Sequence, residues 1–83
     1  MYVMAISTVA DHDKFWGALK KAHSQLPRGA RWTLAVGSTD GSRAVNIIMH
    51  DSLESVRSFF EEYASPFGTT EYCEADAANA VGL

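Results

Sequence analysis

Cysteine occurs once in this chain and proline twice, and no run of basic residues is longer than Lys20-Lys21. A lone Cys73 excludes an internal disulfide and leaves no pair for a zinc knuckle or a C-x-x-C redox centre, so a reducing, cytoplasmic setting is expected. Ten acidic residues against seven basic ones, a net charge of −3, supply no phosphate-binding footprint. Nucleic acid is therefore not an expected partner. No apolar run approaches the roughly 18 residues of a bilayer span, and a membrane is not expected either. The opening MYVMAISTV lacks a basic leading segment and turns polar at Ser7 and Thr8, unlike a signal peptide.

What the chain does have is apolar and aromatic material: 47% hydrophobic residues, with four Phe, three Tyr and two Trp among 83 residues. A domain this small buries only about two-thirds or less of its unfolded surface. The surplus apolar residues are expected to form an oligomer interface, and a homodimer is the simplest such assembly.

Periodicity divides the chain into six elements. YVMAIST, Tyr2 to Thr8, reads as a first strand. Asp11 is placed to cap a helix over His12–Leu26, whose Phe15, Leu19, Ala22 and Leu26 share one face, with Trp16 and His23 beside them. Pro27 and Gly29 end it. RWTLAVGS and RAVNIIMH flank TDGS, whose Asp40-Gly41 is the strongest hairpin signal in the chain. DSLE restarts a helix, with Asp51 as the expected cap and Glu54 completing a near capping box. Leu53, Val56, Phe59, Phe60 and Tyr63 form its apolar face, Pro66 ends it, and TTEYCEA, Thr69 to Ala75, is the last strand. The order β-α-β-β-α-β predicts a single α+β, ferredoxin-like domain over residues 1–83, with an antiparallel sheet, two helices on one face, and the other face free to dimerise.

Centring the hairpin on Asp40-Gly41 pairs Val36 with Val45, Leu34 with Ile47 and Trp32 with Met49. These six are expected to face the helices. The opposite face would carry Arg31, Thr33, Ala35, Gly37, Ala44, Asn46, Ile48 and His50. If the first and third strands run parallel, the Asp11-His12-Asp13 turn, His50, Asp51 and Arg31 gather on one rim.

A chain of this size and order, with the hairpin GSTDGSRAVNII, resembles the dimeric α/β-barrel superfamily. The resemblance implies two sheets packed face to face around a small ligand, in proteins that include cofactor-independent monooxygenases, cyclases and isomerases. TDGSRAVNIIMHDSLESV is also similar to small nickel-binding ferredoxin-like proteins. Those carry adjacent histidines on the first strand, where this chain has VMAIS, so no metal ligands and no cofactor are carried over.

These readings nominate a site between sheet and helices. His50 is the candidate general acid or base, because imidazole titrates near neutral pH, and Asn46 and Arg31 would stabilise a developing enolate or phenolate. Trp32, Tyr72 and Thr33 are candidates for substrate binding, and Trp16 is a further wall for an aromatic-friendly pocket. Two alternatives differ in class: a non-catalytic dimeric interaction module, and a divalent-metal binder using His12, His50 and the rim carboxylates. Cys73, flanked by Glu71 and Glu74, is a poor nucleophile and is expected to be a small buried residue. The tail DAANAVGL is too small to pack alone and is expected to lie along a partner subunit.

Overall fold

Asp11 adopts extended backbone, and its carboxylate accepts a hydrogen bond from the Lys14 amide at 3.2 Å, which starts a helix at His12 as the sequence predicts. In the computed structural model, which describes residues 1–83, that helix is α1 (His12–Ser24). The remaining elements are β1 (Tyr2–Val9), β2 (Arg31–Gly37), β3 (Arg43–Met49), α2 (Leu53–Ala64) and β4 (Gly68–Ala75), with single 3-10 turns at Ser65–Phe67 and Ala77–Asn79. The second helix is capped by Ser52, not Asp51: its hydroxyl accepts from the Ser55 amide at 3.0 Å. No helix is long and apolar enough to cross a membrane.

The four strands form one antiparallel sheet in the order β2-β3-β1-β4, the ferredoxin-like arrangement. Its central pair, β1 and β3, runs antiparallel with Tyr2 opposite Met49 and Thr8 opposite Arg43. The expected parallel pairing is therefore wrong. A crossover helix makes β1 parallel to β2, and the hairpin then reverses β3. The Asp11-His12-Asp13 turn and His50 consequently stand at opposite ends of the sheet, and the rim that would have gathered them does not form.

The hairpin register holds near the turn, where Val36 opposes Val45 and Leu34 opposes Ile47. Its loop is tied by the Asp40 carboxylate, which accepts from the Ser42 amide at 2.9 Å and from the hydroxyls of Ser38 and Ser42 at 2.7 Å. These donors hold its pKa down at about 2. Gly41 supplies the positive φ of 79° that the turn requires.

The faces, however, are the reverse of those expected. Val3, Ala5 and Ser7 of β1 and Ala44, Asn46 and Ile48 of β3 are the buried residues, packed under Phe15 and Leu19 of α1 and Val56, Phe60 and Ala64 of α2. Leu34, Val36, Val45, Ile47 and Met49 point away from the helices, and Leu34 and Val36 are 42% and 50% exposed. Small residues on the inner face let two helices approach the sheet closely, and the bulk is supplied from the helix side by Phe15 and Phe60. Cys73, opposite Met4 on the outer face, is exposed and not buried.

One residue breaks the alternation. Trp32 pairs with Ile48 and Leu34 with Ile47, so Thr33 is an extra residue in β2, a bulge. Trp32 thereby turns to the helix side, where it packs against the core.

The inverted faces are testable with one substitution. Ala44 is 2% exposed beneath the helices, so Ala44→Leu is expected to lose about 1–3 kcal/mol in urea unfolding through overpacking. An unchanged unfolding midpoint would place Ala44 on the outer face instead.

Candidate functional site

The three residues nominated for catalysis are not brought together. Asn46 lies in the core at 0% exposure. Arg31 is exposed at the start of β2, opposite Met49. His50 follows β3, where its amide donates to the Met1 carbonyl at 2.9 Å and its ring Nδ1 stands 3.8 Å from Asp51 Oδ1. Arg31 and His50 thus share one end of the sheet, whereas Asn46 sits further along β3 under α1 and α2. None of the three lines a cavity.

Tyr72, nominated for substrate binding, also lines no cavity. It is half-buried and joins β4 to α2: its hydroxyl donates to Glu61 Oε2 at 2.5 Å, its ring packs edge-on to Phe60, and the Arg57 guanidinium lies 5.5 Å from its centroid. Burial, followed by the Glu61 carboxylate, pushes its phenol far above the ordinary range, so it stays neutral. For the metal alternative, no three His, Cys, Asp or Glu side chains come within reach of a common ion.

Trp32 and Thr33 do share a site. A groove of about 350 Å³ runs between α1 and the edge strand β2, lined by Trp16, Leu19, Lys20 and His23 from the helix and Trp32, Thr33, Leu34 and Ala35 from the strand. The helical contributors lie at i, i+3, i+4 and i+7, one stripe beside the buried face formed by Phe15, Leu19 and Ala22. Trp16 rests over Gly37, where an added Cβ would come within 2.9 Å of its ring. Glycine is what allows the indole to come this close to the strand.

Trp32 is fixed more firmly. Its Nε1 donates to Asn46 Oδ1 at 3.0 Å, and its ring lies 5.8 Å from that of His23, 6.3 Å from Phe59 and 6.1 Å from Phe60. An indole N–H is only a donor, so Asn46 must turn its carbonyl oxygen toward it. The consequence is that Asn46 Nδ2 is buried without a hydrogen-bond partner. That orphaned donor costs stability, and here it accompanies an aromatic wall held in one orientation.

A second groove, of about 620 Å³, lies on the outer face. There Asp76 accepts from the Ala78 amide at 3.0 Å and from Asn79 Nδ2 at 2.6 Å, and beyond the turn so formed Ala80–Leu83 line the groove together with Met4, Leu34 and Ile47 of the same chain. Val81 is wholly exposed.

Sequence reading left Lys20 and Leu19 out of the site and placed His23 merely at the rim of its helix. The stripe Trp16, Lys20, His23 at helical spacing could have marked them. The bulge that completes the opposite wall leaves no such signal. Comparison with protein-family models, curated proteins and solved structures returns no match to this chain.

A double-mutant cycle tests the pinned indole. Trp32→Phe, Asn46→Ala and the double variant are expected to give a coupling of about 1 kcal/mol in urea unfolding, the net worth of one hydrogen bond. Additive losses would mean that the two side chains do not depend on each other.

Proposed function

We propose that this chain is a small-molecule-binding protein that works as a homodimer. The observation that carries the binding reading is the α1–β2 groove, which two indoles, Trp16 and Trp32, line together with Leu19 and Ala35. Its volume of about 350 Å³ falls in the range of small-ligand pockets, about 300–1,000 Å³, and such pockets are characteristically apolar with a few convergent polar groups. Here Lys20, His23 and Thr33 are those groups. Binding is favoured over catalysis because His50, Asn46 and Arg31 border neither this groove nor any other cavity.

The dimer reading rests on the outer sheet face. Met4 and Ile6 of β1, Leu34 and Val36 of β2, and Val45, Ile47 and Met49 of β3 make a contiguous apolar surface, bordered by Arg43 and Glu71 of opposite sign. The chain's own tail, Ala80–Leu83, flanks it at Met4, Leu34 and Ile47 and would share in the interface. An apolar centre within a mixed-charge rim is the anatomy of a protein interface, and a rim carrying both signs suits a second copy of the same chain. Face-to-face pairing of sheets is also what the resemblance to dimeric α/β-barrel proteins implies. Cofactor-independent chemistry in such a dimer would need groups other than the dispersed trio.

Light scattering is expected to give about 18 kDa, twice the 9.1 kDa of the chain, and Val36→Glu/Ile47→Glu is expected to give a folded monomer. A wild-type mass of 9.1 kDa at tens of micromolar overturns the dimer. For the groove, the probe is 2-naphthamide, followed through the indole N–H signals of the two tryptophans in a nitrogen–proton correlation spectrum. Both signals are expected to shift saturably. No shift up to the solubility limit of the probe overturns the binding reading.

A further inference from the structure

Lys20 and His23 are the titratable residues lining the α1–β2 groove, and no carboxylate is among its lining residues. That is unusual for this molecule, in which ten acidic residues outnumber seven basic ones. Each of the other three grooves is bordered by Asp or Glu: Glu74 and Asp76 in one, Asp76 in the second, Glu62 in the third. The groove bordered by Glu62 also carries Lys14 and Lys21, so what sets the groove with the two indoles apart is a cation with no carboxylate beside it. We propose that this groove takes a planar aromatic carboxylate, with the ring between Trp16 and Trp32 and the carboxylate at the Lys20 ammonium. The proposal rests on reading this groove as a ligand site, and it is independent of the dimer.

The wall chemistry selects the ring. Indole faces and edges favour aromatic partners in offset or edge-on geometry, beyond what area burial alone provides. Trp32 is held for this by Asn46 and by edge-on contact with Phe59, and Trp16 by its seat on Gly37 and its edge-on contact with Phe15 at 5.6 Å. Side chains already fixed in the free protein lose little freedom when a ligand arrives. The volume accommodates one or two fused rings.

The charge selects the acid. Lys20 offers a single ammonium on a flexible stem, and His23, one helical turn further on, adds a ring N–H donor. One cation and one extra donor match a monoanionic carboxylate. A phosphate or diphosphate would call for several cations or a glycine-rich backbone cradle, and this groove has neither.

The test compares 2-naphthoate with its uncharged isostere 2-naphthamide on the full chain, reading the Trp16 and Trp32 indole signals. In low salt the wild type is expected to bind naphthoate about fivefold more tightly than the amide, the value of one exposed ion pair. In Lys20→Gln the preference for the acid is expected to vanish and the two affinities to become equal. Equal affinities in the wild type, or an anion preference that survives Lys20→Gln, overturns the proposal. If the amide binds as well as the acid, the groove remains a ligand site and only its ligand class is wrong. If neither probe moves the indole signals, both this inference and the binding reading fall.

Discussion

A single extra residue in β2 organises the side of the molecule that carries the groove. Strict alternation would leave Trp32 on the outer face with Leu34 and Val36. The bulge at Thr33 turns it inward, and the bond from its Nε1 to Asn46 then fixes both the indole and the amide. A polar residue in the middle of a core strand is costly unless bonded, and Asn46 is bonded on one side only. The bulge, the buried amide and the aromatic wall form one structural unit. Removing any member would leave a buried polar group, or a large ring, without its place.

The inner face of the sheet is the second constraint. Ala5, Ser7, Ala44 and Asn46 are small or compact, so the helices sit close and reach down with Phe15, Leu19 and Phe60. This leaves the larger aliphatic side chains of β2 and β3 on the opposite side. A domain of this size has little apolar material to spare, and yet Leu34, Val36, Val45 and Ile47 lie outside the core. The same partition that makes a tight two-layer fold thus produces the apolar surface proposed for dimerisation. Ser7 fits this economy: its hydroxyl is paired with that of Thr70 at 2.7 Å, so a polar residue is buried without an unmet bond.

Much of the fold is legible in the sequence because its signals are local. Asp11 as a cap, Pro27 and Pro66 as helix stops, Asp40-Gly41 as the turn and the apolar spacing of α1 and α2 all act through near neighbours, and they yield the element order and the hairpin register near the turn, though not the expected pairing of Trp32 with Met49 beyond the bulge. Which face of a strand is buried is not a local property here. Along β3, Val45-Ile47-Met49 and Ala44-Asn46-Ile48 are both plausible inner sets, and hydrophobicity alone favours the bulkier one. What decides is the shape of the helices above, a tertiary matter. The site suffers for the same reason: with the faces inverted and β3 antiparallel to β1, Asn46 moves into the core and His50 parts from the acidic turn. Trp32 and Thr33 reach the groove only through a bulge that no periodicity announces, and Lys20 is easily read as an ordinary solvated lysine.

In the proposed reading the two surfaces divide the labour: an outer face to pair protomers and an inner-edge groove, open beside α1, to take a ligand. Both depend on the same partition of side chains across one sheet, and the pairing is its more exposed consequence. The direct measurement is an isotope-filtered nuclear Overhauser experiment on an equimolar mixture of labelled and unlabelled protein. Intermolecular contacts among the side chains of Met4, Leu34, Val36 and Ile47 are predicted. Their absence in a sample of dimer mass, or intermolecular contacts made instead by residues outside that face, would contradict the account.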